Sequence, residues 1–154
     1  MIIVALADHK HNFKIASLEV ILITAQHTCD TSNIMNISND QVTAWVKKYV
    51  HAWETGKKED IQVLFAKDAE YREWPYETQL VGRDAIVKGW QARQQWQDGG
   101  WSFDWSILDI KKDTAVIEGT GTYKELGTFG NFWLVTLNDE GKCTMFRMWN
   151  GELQ

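Results

Sequence analysis

The chain has 154 residues, of which 44% are hydrophobic and 24% are charged, and its net charge is −5. This length suits a single domain with a substantial core, and the composition is typical of globular proteins. Because the lysines and arginines form no basic stripe, we expect no nucleic-acid partner, since binding to phosphates needs clustered cations.

Cysteine usage and motif content argue against several kinds of site. Cys29 and Cys143 are too few for a disulfide framework and lack the spacing of metal ligands. The sequence contains no phosphate-binding loop, metal-ligand cluster or nucleophile elbow. We therefore expect a protein of a reducing compartment, the cytoplasm, that uses no metal and no cofactor.

The nine tryptophans are the unusual feature of the composition. Tryptophan is costly to place unless its faces are covered and its N–H finds a partner. Such residues fill packed cores, and they also line ligand pockets. Both interpretations stay open at the level of sequence.

Residues 1–34 differ from the rest of the chain. Their apolar stretch, SLEVILITA, is too short to span a membrane and starts too late for a secretory signal. We expect no membrane partner and interpret 1–34 as an extension outside the domain, with Met35 as an alternative natural start.

Regular structure is predicted from Ser38 onwards. Ser38 and Gln41 form a capping box, and Gly56 is suited to end the helix that follows. Further helices are predicted over 60–66 and 83–97, with the strand AEYREW between them and Pro75 at its end. The first helix carries apolar residues at helical spacing, namely Val42, Trp45, Val46, Tyr49 and Trp53.

After residue 100 the apolar period becomes two, which is typical of strands. Trp101, Phe103 and Trp105 alternate with polar residues, and a second strand carries Gly119 and Gly121. We expect these glycines to leave room for opposing tryptophan rings. Two more strands follow, over 132–137 and KCTMFRMW, and helices before a meander predict an α+β fold.

One long stretch combines an aromatic first helix, a glycine turn, LFAxDA before a strand, a proline loop and GxxAI opening the third helix. It is VTAWVKKYVHAWETGKKEDIQVLFAKDAEYREWPYETQLVGRDAI. In order and spacing it resembles the nuclear transport factor 2-like superfamily, in its SnoaL-like and ketosteroid isomerase-like branch. The resemblance implies a cone domain over 35–154, in which a curved antiparallel sheet wraps around about three N-terminal helices and an apolar cavity.

The resemblance also implies catalytic residues. The oxyanion-hole tyrosine of the branch falls on Tyr49, and its catalytic carboxylate falls on Glu73. The position of its protonated acid falls on Trp133, or on Asn131 or Phe132 if the hairpin slips. An indole N–H of Trp133 would then replace the acid as donor, and this departure argues against steroid isomerisation as such.

The residues themselves favour Glu73 over its charged neighbours. Glu73 shares a strand face with Tyr71 at the end of the strand, where it would be partly desolvated and so a stronger base. Glu70 and Arg72 point to the other face, and Glu77 lies in a loop beyond the proline. Two alternatives stay open: Glu73 is a solvated residue at the strand end, and Tyr49 is an ordinary core residue.

These observations predict a domain that binds a small apolar carbonyl compound, as an isomerase or lyase without a cofactor. The alternative is a non-catalytic module that binds a ligand or forms a homodimer through a polar outer sheet face with Glu118, Thr120 and Thr122. The sequence has few histidines, which argues against the histidine-dependent dehydratases of this superfamily. Its residues do not support an Asp–Arg–Asp triad, which argues against the epoxide hydrolases. The expected ligand-binding residues are Trp53, Tyr71, Trp90, Phe103, Trp105 and Asn131.

We predict that residues 1–34 are dispensable for folding, because the family pattern begins only after the capping box at Ser38. A chain that starts at Met35 should melt within a few degrees of the full chain, as measured by differential scanning calorimetry. Loss of a cooperative transition in the shorter chain would show instead that the extension belongs to the core.

Overall fold

The structure is a computed structural model that describes residues 36–153 of the chain. The extension predicted over 1–34 lies outside the described residues. No helix within 36–153 is long and apolar enough to cross a membrane.

Three α-helices lie in the first half of the described chain, and a 3₁₀ turn follows the third. The helices are α1 (Asn39–Thr55), α2 (Lys58–Gln62) and α3 (Arg83–Gln91), and the turn spans Gln94–Gln97.

Helix α1 has the boundaries that the sequence predicts. The Ser38 hydroxyl accepts from the Gln41 N–H at 3.2 Å, and the Gln41 side chain accepts from the Ser38 N–H at 2.8 Å. This reciprocal pair satisfies two N–H groups that the helix start leaves without partners. At the other end Gly56 has φ 60° and donates its N–H to the Ala52 carbonyl. Glycine adopts this left-handed conformation at little cost because it has no side chain.

The predictions for the second and third helices were too long. Helix α2 ends at Gln62, since the carbonyl of Leu64 accepts a hydrogen bond from Cys143 in the last strand, and Phe65 begins a strand. Helix α3 ends at Gln91, where the N–H of Arg93 bonds three residues back to Trp90 at 2.9 Å. In both places a hydrogen bond outside the α-helical pattern ends the helix earlier than apolar spacing suggests.

Six strands form one curved, unclosed sheet in the order β2-β1-β6-β5-β4-β3. Strands β1 and β6 pair in parallel, and all other neighbours pair antiparallel, which confirms an α+β fold with a mixed sheet. The strands are β1 (Phe65–Trp74), β2 (Thr78–Val81), β3 (Trp101–Lys111), β4 (Thr114–Tyr123), β5 (Gly127–Leu137) and β6 (Cys143–Glu152).

Strand β2 is the element that the sequence analysis missed, because it placed these residues in the loop after Pro75. The strand pairs with β1 from Glu70–Val81 to Glu73–Thr78. It lies at the sheet edge, and four residues are too few for an alternating pattern to stand out.

The apolar face of α1 packs against aromatic residues of the inner sheet face. Tyr49 stacks on Phe146 with 5.6 Å between ring centroids and meets Trp90 edge-on at 4.8 Å. The Trp45 N–H, buried in this core, donates to the Leu64 carbonyl at 3.1 Å. Trp45 is thus surrounded by the rings of Tyr49, Phe65 and Phe146 and has an acceptor for its N–H, which are the two conditions for burying a tryptophan at low cost.

The glycines of β4 have different surroundings. A Cβ atom on Gly119 would lie 2.2 Å from the Phe103 ring, so this glycine makes room for a phenylalanine and not for a tryptophan as predicted. A Cβ atom on Gly121 would lie 3.6 Å from the Trp101 Nε1, which is ordinary van der Waals contact. Only the first position therefore needs glycine for packing.

Candidate functional site

A cavity of about 390 Å³ lies on the inner side of the sheet, with α1 on one wall. Its volume is within the usual range of ligand sites, roughly 300–1,000 Å³. The lining is mostly aromatic and includes one charged residue, Glu73. It consists of Tyr49, Trp53, Tyr71, Glu73, Tyr76, Trp96, Trp101, Phe103, Gly121, Tyr123, Leu126, Phe129, Asn131, Trp133, Met148 and Asn150.

Strand alternation brings these side chains to one face. Tyr71 and Glu73 are two residues apart on β1, as are Trp101 and Phe103 on β3, so each pair shares a face. Trp133 on β5 lies between them and stacks on Phe103 with centroids 4.7 Å apart at an interplanar angle of 8°.

Glu73 is the one buried charged residue among those described, with 4% of its surface exposed. Its Oε1 accepts from the Tyr71 hydroxyl at 2.6 Å, and its Oε2 accepts from Arg93 Nη1 at 2.7 Å. The second nitrogen of Arg93 donates to Thr78 on β2 at 2.9 Å, and its guanidinium lies over the Trp96 ring at 5.1 Å. A buried carboxylate needs such partners, because burial without them disfavours its charge.

The two tyrosines beside Glu73 remain protonated across the ordinary pH range. Burial raises the pKa of Tyr49 well above its usual value, and the nearby Glu73 carboxylate raises it further. The pKa of Tyr71 is raised by the same two causes in the same order. Both hydroxyls are therefore hydrogen-bond donors and not phenolates at neutral pH.

Trp133 is 2% exposed, and its Nε1 has no hydrogen-bond partner among the described residues. Asn131 also lines the cavity and donates one amide N–H to Phe129 at 2.9 Å. Phe132 points to the outer face, where 41% of its surface is exposed. Strand β5 thus brings Phe129, Asn131 and Trp133 to the cavity, and the amide and the indole among them are N–H donors.

The structure brings together seven of the nine residues that the sequence analysis proposed for the site. Trp90 and Trp105 are absent from the cavity lining. The Trp90 ring packs against Trp53 at 5.1 Å and Phe65 at 5.7 Å, behind the cavity wall. Trp105 lies further along β3 and lines a groove on the sheet. Those that line the cavity are Tyr49, Trp53, Tyr71, Glu73, Phe103, Asn131 and Trp133.

The other charged residues near Glu73 lie away from the cavity. Glu70 and Arg72 form an ion pair of 3.2 Å on the opposite face of β1, with 46% and 38% of their side chains exposed. Glu77 is exposed in the turn before β2. No group of three or more possible metal ligands occurs within residues 36–153.

Sequence reasoning missed Arg93, Trp101 and Tyr123. Arg93 shares a helical stripe with the apolar residues Ile86 and Trp90. Because a buried arginine needs a partner, its place on this stripe could have indicated an internal carboxylate such as Glu73. Trp101 and Tyr123 face each other across β3 and β4, and the alternation that placed Phe103 inside also places Trp101 there.

Replacing Arg93 by Met should destabilise the protein by about 3–5 kcal/mol, because it leaves the Glu73 carboxylate buried without its cation. Arg72→Met, which breaks the exposed pair with Glu70, is the control and should cost about 0–1 kcal/mol. Urea denaturation measures both.

A second change tests the cause of that loss. Adding Glu73→Gln to Arg93→Met removes the uncompensated charge, so the double variant should be more stable than Arg93→Met alone. Equal losses for Arg93→Met and Arg72→Met would contradict a structural role of the buried pair.

Comparison with known structures finds the same fold in bacterial proteins of low sequence identity. A ketosteroid isomerase-like protein from Kribbella flavida is 17% identical, with a TM-score of 0.58 over 75% of this chain and 81% of that one. A LEH-like epoxide hydrolase from M. tuberculosis is 14% identical, with a TM-score of 0.55 over 73% and 84%. A SnoaL-like protein of unknown function from Burkholderia thailandensis is 14% identical, with a TM-score of 0.61 over 75% and 98%.

Comparison with curated proteins finds no match. The family comparison matches the SnoaL-like domain over residues 46–150, which includes every strand of the sheet except the last residues of β6. The match covers well over half of the chain, and the resemblance inferred from the sequence is confirmed. The chain belongs to the SnoaL-like domain family.

Proposed function

We propose that the cavity binds a neutral, apolar carbonyl compound and that Glu73 moves a proton on it, as in an isomerase or a lyase. The observation that carries the proposal is one buried carboxylate in an otherwise uncharged, aromatic wall. Apolar rings favour an apolar ligand body. A carboxylate held out of water is suited to take a proton from carbon.

The proposed step begins with the carboxylate of Glu73 taking a proton from the carbon next to the carbonyl. The electron pair of that C–H bond moves towards the carbonyl oxygen, which becomes an enolate oxygen. Tyr49 and Trp133 are the proposed donors to this oxygen, since both line the cavity and the Trp133 N–H has no other partner among the described residues. Return of the proton to another carbon gives an isomer, and loss of a leaving group gives a lyase product.

Arg93 and Tyr71 hold the base in this scheme. Each occupies one oxygen of Glu73, at 2.7 Å and 2.6 Å, so the carboxylate cannot rotate freely. Each carboxylate oxygen has two lone pairs, which leaves sites free to accept the substrate proton. We infer that this fixed orientation keeps the carboxylate aligned with the carbon from which it takes the proton.

The comparisons show that the fold of this chain is shared with known enzymes, and they support the proposed chemistry through that shared fold alone. A ketosteroid isomerase-like protein and an epoxide hydrolase share the architecture at under 20% identity, and one fold carries many activities. Within residues 36–153, the cavity lining contains no aspartate. That composition favours a proton transfer by a single carboxylate over chemistry that needs two.

The test needs no knowledge of the natural substrate. We expect the protein to speed hydrogen–deuterium exchange next to the carbonyl of 2-tetralone in D₂O, measured by proton NMR. Glu73→Gln should slow the catalysed exchange by about 10²–10⁴-fold, the usual contribution of general acid–base catalysis. Ligand binding, followed by tryptophan fluorescence, should persist. Glu70→Gln, on the outer face of the same strand, is the matched control and should exchange at the wild-type rate.

A second candidate is a non-catalytic binding domain. It is favoured by the same contacts, because both oxygens of Glu73 already have partners and the ion pair with Arg93 stabilises the fold as it stands. The exchange assay separates the two candidates. Saturable binding of 2-tetralone without any catalysed exchange would contradict the enzyme and favour the binding domain.

We also propose a homodimer formed through the outer sheet face. The polar residues expected there include Glu118, which accepts from Ser106 at 2.9 Å. Beside them the structure exposes an aromatic patch in which Trp149 is 39% exposed and stacks on Trp74 with centroids 5.0 Å apart, next to Phe132. Exposed apolar patches rimmed by polar residues are typical of interaction sites.

Light scattering after size-exclusion chromatography should give the mass of two chains for the wild type. Trp149→Glu places a charge in the patch and should give one chain, whereas Val81→Glu, at an exposed position on the edge strand, should not. A single-chain mass for the wild type at micromolar concentration would contradict the dimer.

A further inference from the structure

The end of the cavity around Gly121 carries hydrogen-bond donors of its own, apart from those near Glu73. Gly121 lies on β4, and its neighbours on both sides carry N–H donors that face one space. The position of a Cβ atom on this glycine would be 3.6 Å from Trp101 Nε1 on β3 and 3.6 Å from Asn131 Nδ2 on β5. Two donors from flanking strands thus converge in front of a residue that has no side chain.

These donors have unused capacity. Among the described residues, the buried N–H of Trp101 has no hydrogen-bond partner, and the same holds for the neighbouring Trp53. Both indoles lie near the Tyr123 hydroxyl without reaching hydrogen-bond geometry. Asn131 donates one of its two amide protons to Phe129 and keeps the other. Buried donors without acceptors are unfavourable, so an acceptor placed here gains several partners at once.

This end of the cavity is uncharged. Among the described residues, Glu73 is the only charged one in the lining, and it lies on β1. Burial raises the pKa of Tyr123 to about 12, so its side chain is a neutral phenol. A charged ligand group would lose its hydration here without gaining a counter-ion, whereas a neutral oxygen loses far less.

Sheet order separates the two ends. Strands β6 and β5 lie between β1 and β4, so Glu73 and Gly121 are three strand spacings apart. At about 4.8 Å per spacing this is roughly 14 Å perpendicular to the strands. The register aligns Glu73 with Ile117, so Gly121 also lies further along β4. A ligand that touches both ends is therefore elongated.

We propose that the space in front of Gly121 is a second subsite that binds a neutral acceptor oxygen of the ligand, through the N–H groups of Trp101 and Asn131. This inference rests on the proposed function, since the carbonyl of the same ligand lies at Glu73. The substrate class is then an elongated, neutral, apolar compound with a carbonyl at one end and an ether, hydroxyl or second carbonyl oxygen at the other.

Gly121 supplies a selective way to close the subsite. A methyl group there would be in ordinary contact with Trp101, Tyr123 and Asn131, at 3.5–3.6 Å, so the wall accepts it. The same methyl occupies the space in front of both donors. Gly119, two residues earlier on β4, is unsuitable for this substitution, because a methyl there would lie 2.2 Å from the Phe103 ring.

The experiment compares two ligands of the same shape by isothermal titration calorimetry. 2-Acetyl-6-methoxynaphthalene carries an acceptor oxygen opposite its ketone, and 2-acetyl-6-ethylnaphthalene has a CH₂ in its place. The wild type should bind the methoxy compound about fivefold more tightly, the ratio that one net hydrogen bond gives. Gly121→Ala should bring this ratio to about one. Gly151→Ala, which adds a methyl to open space on β6, should leave it unchanged.

A second variant removes a donor and keeps the wall. Trp101→Phe retains an aromatic ring beside Phe103 but has no N–H, so it should also bring the ratio to about one. It decides the question if Gly121→Ala does not fold, as judged by thermal unfolding. Glu73→Gln changes the other end of the cavity and should keep the fivefold preference.

The outcomes separate this inference from the proposed function. Equal binding of the two compounds to the wild type would overturn the subsite and leave the carbonyl site standing. A fivefold ratio that persists in both Gly121→Ala and Trp101→Phe would also overturn it. Failure of both compounds to bind the wild type would contradict the carbonyl site and the subsite together.

Discussion

A carboxylate and a guanidinium meet at 2.7 Å beside a cavity whose wall is mostly aromatic. Arg93 reaches Glu73 from the end of α3, and through Thr78 it also ties β2 to the pair. Without the cation, a charge on β1 could not lie at 4% exposure. The ion pair therefore holds the end of α3 and the edge strand β2 against β1, at the polar end of the cavity.

Around this polar point the aromatic residues divide into two groups. Trp90 and Phe146 both pack against Tyr49 at the base of the core, and Tyr49 also reaches the cavity. Trp101 and Tyr123 stand further apart, at 6.0 Å between centroids, and border the cavity. The nine tryptophans thus serve both purposes that the composition left open, since some fill the core and others line open space.

Local patterns predicted much of the fold. The capping box at Ser38 and the left-handed Gly56 determine α1 from its own residues, and alternation placed Glu73 and Tyr71 on the inner face. What could not be predicted depends on distant partners. Phe65 joins a strand because β6 pairs beside it, and Trp90 is covered by rings from two other elements, α1 and β1. The helical stripe of Ile86 and Trp90 indicates that Arg93 is directed inward, but not that its partner is Glu73 on β1.

The parallel pairing of β1 with β6 has a consequence for how the chain is made. These strands come from the two ends of the sheet-forming sequence, yet they are neighbours inside the sheet. During synthesis β1 leaves the ribosome with only β2 beside it, and its other edge stays unpaired until the last strand emerges. Contacts between distant residues form slowly and leave strand edges open to aggregation. The domain therefore completes its sheet only after β6 has emerged, with the meander β3 to β5 as the part that can form earlier from neighbouring strands.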